Sequence, residues 1–141
     1  MSTQYTILRA ERPDDNAWTL IGGGLHQYNV QKAGEPQGEQ ICFLLLAPDQ
    51  SLVGGLIGET HWGWFYINLL FVKDELRGRG YGHQLLNQAE EAARQSGATK
   101  AYLDTFSFQS PEFYKQHGYN VFGELKDFPP GHTRFYMMKE L

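Results

Sequence analysis

The densest run of residues able to do chemistry is Arg77-Gly78-Arg79-Gly80-Tyr81-Gly82, lying between an apolar stretch at 64–72 and an amphipathic one at about 81–96. Glycines let a backbone approach a ligand closely, and the first N–H groups of a following helix point outward, unsatisfied, with a partial positive charge behind them. Such a loop suits a phosphate, and two arginines add to the fit, although loop arginines also serve simply as solvated surface. A nucleotide P-loop would close on Gly-Lys and then Ser or Thr. This one closes on Gly82-His83-Gln84, so nothing stands ready for Mg²⁺ and a γ-phosphate. A dinucleotide fingerprint fails too: counted from Gly78 the third glycine position is His83, and the preceding strands read as antiparallel. What remains is a pyrophosphate-bearing ligand held by loop amides without a metal, the requirement of a coenzyme A ester.

The elements that must position this loop follow from periodicity and turn chemistry. Segments 40–47, 52–59 and 64–72 read as strands of an antiparallel meander, separated by Pro48-Asp49-Gln50-Ser51 and by the turn around Gly63. In the helix at 81–96, Leu85, Leu86, Ala89, Ala92 and Ala93 share a face, Glu90 and Arg94 pair outside it, and Gly97 suits a left-handed cap. A strand at 101–105 follows. Ser110-Pro111-Glu112 then opens a short helix to about His117, with Ser110 as N-cap. Strands at 119–125 and 133–139 end the chain, joined by Asp127-Phe128-Pro129-Pro130-Gly131.

Ahead of the meander, 4–10 reads as a first strand and Pro13-Asp14-Asp15 as a helix start. Helical spacing through Trp18, Ile21, Leu25 and Tyr28 is interrupted by Gly22-Gly23-Gly24. Three glycines cost roughly 3 kcal/mol against alanines in a helix, so a break between two short helices is expected there. The break is a candidate substrate wall, or a place of close packing. The order β-α-α-β-β-β-α-β-α-β-β describes an α/β (α+β) fold with helices on a mixed sheet, and 141 residues suit a single domain over 1–141.

Composition narrows the function further. A net charge of −4 argues against a nucleic-acid partner, whose binding requires phosphate neutralisation. Cys42 is the only cysteine, and His26, His61, His83, His117 and His132 fall in no ligand spacing, so no metal is expected. The longest apolar runs, 41–47 and 67–72, are far below the ~20 residues of a membrane span. With no basic and then apolar leader at Met1-Ser2-Thr3-Gln4, a cytoplasmic protein without a membrane partner is the expectation.

Arg77-x-x-Gly80-x-Gly82, behind one strand and ahead of a helix, resembles the acyl-CoA signature of the GNAT superfamily of N-acyltransferases. Phe113-Tyr114-Lys115-Gln116-His117-Gly118-Tyr119 resembles that family's second signature, an aromatic-Tyr helix ending in Gly and an aromatic. From about residue 64 onward the chain is similar to small bacterial single-domain acetyltransferases, including Leu103-Asp104-Thr105-Phe106-Ser107-Phe108-Gln109 and the ending Met138-Lys139-Glu140-Leu141.

The resemblance implies the GNAT-like acyl-CoA N-acyltransferase fold and direct attack of an amine on the thioester of acetyl-CoA, as co-substrate. It places backbone N–H groups of Phe71 and Val72 against the pantetheine and the carbonyl, where preorganised donors are worth about 2.7 to 4 kcal/mol each. The pyrophosphate is expected on Arg77, Gly78, Arg79, Gly80, Tyr81, Gly82 and His83. Tyr114 matches the tyrosine beside the CoA sulfur: a phenol with pKa near 10 is protonated at pH 7 and can donate to a departing thiolate. Without the motif it would read as a core aromatic beside Phe113 and Tyr119. Ser107 stands where the family often carries an asparagine that binds the pantetheine arm, and it is a cofactor-binding candidate by that position alone.

An amine acceptor arrives almost wholly protonated at neutral pH, so a base is needed. Glu59 is the catalytic candidate, with His61 or water as alternatives and Asn68 as a residue able to orient a water; Glu112 and His117 read as surface groups. His61-Trp62-Gly63-Trp64-Phe65-Tyr66 reads as an acceptor pocket, a dimer face or a half-buried hairpin. The expected activity is acetyl transfer to a primary amine of a small molecule, a metabolite or an antibiotic. Protein N-terminal or lysine acetylation is the second enzymatic reading, and a non-catalytic acyl-CoA-binding module is the rival from another class. The family's habit of pairing through C-terminal strands makes a homodimer the partner to test.

Overall fold

The computed structural model describes residues 4–141 and resolves into two compact units, Met1–Pro36 and Gln37–Leu141, Met1 to Thr3 lying outside the described residues.

The larger unit is built on a six-stranded sheet of order β1-β2-β3-β4-β6-β5, from β1 (Gln40–Leu46), β2 (Leu52–His61), β3 (Trp64–Val72), β4 (Lys100–Phe106), β5 (Asn120–Lys126) and β6 (Thr133–Glu140). All neighbours are antiparallel except β3 and β4. That one parallel pair needs a long crossover, and α3 (Tyr81–Gln95) supplies it. Leu85, Leu86, Ala89 and Ala93 are buried along one face of α3, the two alanines leaving room for the helix to sit close against the sheet. Leu56, Phe65, Ile67, Ala101, Leu103 and Met137 of the sheet share the core with them. Buried residues alternate along β3 and β4, as a sheet covered on one face dictates. The meander, the crossover helix, the short helix α4 (Pro111–Gln116) and the last two strands fall where sequence periodicity places them, within a residue or two at each end.

One irregularity shapes the site. The register of β2 with β3 shifts between Ile57 and Gly58, leaving Asn68 as the extra residue of β3. A bulge bends its strand and raises the local twist. The pairing of β3 with β4 is confined to Trp64, Phe65 and Tyr66, so beyond Tyr66 the two parallel strands part.

The smaller unit corrects two expectations. Residues 4–10 form no strand, with Tyr5 and Ile7 fully exposed; alternating β-formers make a strand only where a ladder is supplied. The glycine triplet does not break the helix either. Asp14 caps it, its carboxylate accepting from the Ala17 N–H at 2.8 Å. A helical path then runs through α1 (Asp15–Ala17), a π-helical turn (Trp18–Gly22) and α2 (Gly23–Ala33). Gly22 and Gly23 both hold ordinary right-handed helical angles. A break would strand several backbone hydrogen bonds, a larger cost than the glycine propensity.

Candidate active site

The glycine loop needs its glycines. Gly78 and Gly80 hold φ of +76° and +87°, left-handed values that an L side chain adopts at a cost of roughly 1–2 kcal/mol. Arg77 is committed to the loop's own shape. Its guanidinium pairs with Asp74 at 2.7 Å, its Nε donates to the carbonyl of Val72 at 2.9 Å, and it lies over the Phe71 ring. The loop is thus tied to the end of β3. The first helical bond of α3 runs from the Gln84 N–H to the Gly80 carbonyl, so the amides ahead of it have no acceptor within the helix.

Where β3 and β4 part, a cleft of about 440 Å³ opens against this loop. Phe71 and Val72 line one wall, Arg77, Gly78, Gly80, Tyr81, Gly82 and His83 the floor, and Tyr114 the far side. The structure therefore gathers most of the residues named from sequence into one place. Arg79 is exposed and lies off the cleft. Ser107 is also outside it: its hydroxyl accepts from the Thr133 N–H at 3.1 Å, closing the turn into β6. Glu59, exposed on β2, does not reach the cleft, nor does Asn68; His61 lies 3.3 Å from the Tyr102 hydroxyl instead.

Tyr114 is 8% exposed, and burial, aided by the charge of Asp104, pushes its pKa up to about 12. At neutral pH it is a held proton facing the cleft. Its position is set by α4, whose far end is anchored by a buried network. The Tyr119 hydroxyl donates to Glu90 at 2.7 Å, and Lys139 donates to Glu90 at 2.9 Å and to the His117 carbonyl at 2.8 Å. Asp104 is held by Arg134 at 2.7 Å, itself packed over Phe106, Phe128 and Tyr136.

Sequence reasoning missed three apolar members of the cleft, Leu70, Leu76 and Phe113, and took His117 for a surface group. His117 is half-buried, its Nε2 lying 2.6 Å from Nδ1 of His83, with Phe113 stacked on His83. Gly82 carried a signal for this packing: a Cβ there would stand 3.2 Å from the Phe113 ring. Ser110 also lines the cleft, but its side chain makes no capping hydrogen bond.

The chemistry of the cleft fits a coenzyme A ester. Apolar walls suit a pantetheine arm, and the edge of β3 beyond Tyr66 carries no ladder to β4, which frees backbone polar groups for the arm's amides. Left-handed glycines and a helix N-terminus suit a pyrophosphate. Among the described residues no three His, Cys, Asp or Glu side chains converge as a metal site, and no helix is long and apolar enough to cross a membrane.

The sequence profile of the acetyltransferase (GNAT) family matches residues 5–119. Acetyltransferase Atu2258 of Agrobacterium fabrum is 34% identical over 126 residues, 89% of this chain and 92% of that protein. Blasticidin-S acetyltransferase of Streptomyces morookaense is 40% identical over 91 residues, 64% of this chain and 67% of that protein. A crystal structure of an acetyltransferase from Bacillus cereus superposes with a TM-score of 0.87 at 31% identity, covering 95% of this chain and 98% of the other. With the parted parallel strands, the glycine loop and the tyrosine helix in place, the chain belongs to the GNAT family of acetyltransferases.

Proposed function

We propose that this N-acetyltransferase moves the acetyl group of acetyl-CoA directly to a primary amine of a small molecule, a metabolite or an antibiotic, residues 1–141 acting as one catalytic domain. One observation carries the reading: a buried, firmly protonated Tyr114 shares a single cleft with a left-handed glycine loop at a helix N-terminus. Acetyl-CoA supplies the activated acyl group. The amides from Gly78 to His83 hold its pyrophosphate, and the free edge of β3 at Phe71 and Val72 orients the arm and the carbonyl. Tyr114 gives its proton to the departing sulfur. Glu59, outside the cleft, is set aside as the base in this reading, and the amine's proton leaves through water.

The antibiotic class is supported by the relative named for blasticidin-S, and an amine acceptor by the net charge of −4, which favours the approach of cations. Cytoplasmic action on a dissolved amine, without a nucleic-acid or membrane partner, and pairing into homodimers complete the proposal. Its test is a calorimetric titration with acetyl-CoA of the wild type and of Gly80→Glu, followed by a screen of amine antibiotics and polyamines. Binding at about micromolar strength, near −8 kcal/mol, lost in the variant and unchanged by chelator, is the expected result. A folded wild type that does not bind would sink the reading.

A further inference from the structure

We propose that His117 is a positioning residue of the acetyl-CoA site: through its hydrogen bond to His83 it presents a ring N–H of His83 to the pyrophosphate, which makes cofactor affinity depend on pH. The inference rests on the acetyl-CoA reading above. His83 stands on the first turn of α3 and lines the cleft, while His117 closes α4. Their rings lie 24° from coplanar with centroids 4.9 Å apart, the placement expected when a 2.6 Å N···N hydrogen bond runs in the plane of both rings. Phe113 packs with its centroid 4.7 Å from His83 and 5.0 Å from His117, closing one side of the pair. Gly82 backs onto Phe113.

Two nitrogens at this separation share one proton: two would repel, and none would set lone pair against lone pair. When Nε2 of His117 is the donor, neutral His83 carries its own proton on Nε2, a donor that an anion can use. The reverse arrangement leaves Nε2 of His83 bare, and a phosphate oxygen is repelled. Adding one proton to the pair keeps the bond and gives His83 N–H on both sides, with a positive charge beside the pyrophosphate.

Other charged and titratable groups surround the pair. His117 meets Glu90 and His83 from α3 and Lys139 from β6, and Tyr119 follows it closely in the chain. Glu90 is committed to Lys139 and Tyr119, and on α4 itself Glu112 and Lys115 pair with each other. Arg77 and Tyr114 are the polar side chains that share the cleft with His83, apart from Ser110 and Tyr81. Burial, and then the neighbouring His83, hold His117 below the ordinary imidazole range. A proton added to the pair is therefore disfavoured on His117.

The test is calorimetric binding of acetyl-CoA from about pH 8 to about pH 6, the span of an imidazole titration. Wild type, His117→Phe and His117→Gln are compared, with His83→Asn as the baseline that removes the cofactor's own titration. Relative to that baseline the wild type should gain about tenfold in affinity across the span, the worth of a charge-assisted hydrogen bond. His117→Phe should lose most of that gain and raise KM for acetyl-CoA with kcat within about twofold, since its effect is confined to binding. His117→Gln, whose amide can donate to Nδ1 of His83, should restore the affinity near pH 8 but not the gain at pH 6. Nitrogen-15 shifts of the wild-type histidines with bound coenzyme A should report a protonated Nε2 on His83, a readout that stands even when a variant does not fold. A bare Nε2 in that spectrum, or tight binding with the same pH dependence in wild type and His117→Phe, overturns the inference while leaving the acetyl-CoA reading intact. A wild type that binds at no pH overturns both.

Discussion

Tyr114 is ordinary chemistry made selective by its surroundings. A phenol in water would begin to ionise near pH 10; burial and Asp104 raise that to about 12, so the proton intended for the leaving sulfur is retained over the whole working range. Tyr114→Phe should lower kcat at least tenfold with little change in acetyl-CoA affinity, and unchanged turnover would remove Tyr114 from the mechanism. The same shift links folding to pH. A group whose folded pKa lies above its unfolded value contributes stability that is complete below about pH 10 and lost as pH rises through about 12. Alkaline unfolding followed by circular dichroism should therefore move to higher pH in Tyr114→Phe, once the difference at neutral pH is subtracted. Glu59, exposed and off the cleft, makes the opposite prediction: Glu59→Gln should keep the pH profile of kcat/KM, and a lost acidic limb would return it to candidacy as the base.

At the scale of elements, the cleft exists because two parallel neighbours stop pairing. A bulge at Asn68 bends β3, and the start of α3 with its glycine loop lines the cleft. The tyrosine helix is too short to be stable alone. It is held from behind by Lys139 on β6, which bonds the carbonyl at its end while neutralising Glu90, whose side chain is 4% exposed. Lys139→Met leaves that carboxylate buried without its cation, and about 3–5 kcal/mol of stability should be lost. The double variant Lys139→Met, Glu90→Leu should recover part of it, because no charge is then orphaned, while the buried Tyr119 hydroxyl loses its acceptor. Chemical denaturation of the two variants checks this; similar losses in both would mean that packing, not charge, governs the site.

The whole molecule contributes a field. Its net charge of −4 should attract cationic acceptors over distances longer than any contact, with screening on the scale of a Debye length, about 8 Å at physiological salt. For a dicationic amine, kcat/KM should fall as ionic strength rises, whereas for a neutral aromatic amine it should stay level once the salt dependence of acetyl-CoA binding is saturated out. Equal slopes for the two acceptors would place selectivity in local contacts alone.

The sequence by itself determined what short-range physics controls. Glycines that must hold left-handed angles, a helix with one apolar stripe, hairpin turns and a tyrosine helix opened by proline were legible because each depends on neighbours a few positions away. Those signals sufficed for the order of elements from residue 40 onward and for the glycine floor of the cleft. Tertiary structure alone decided which of them meet. Ser107 had the right position in the chain, but its hydroxyl serves the Thr133 turn. His117 looked like surface until α4 laid it against His83. Residues 4–10 have the composition of a strand and form none, while Gly22 to Gly24 look like a break and remain helical. In each case the outcome turns on a contact or a hydrogen-bond partner that local propensity does not encode, and only the folded chain supplies it.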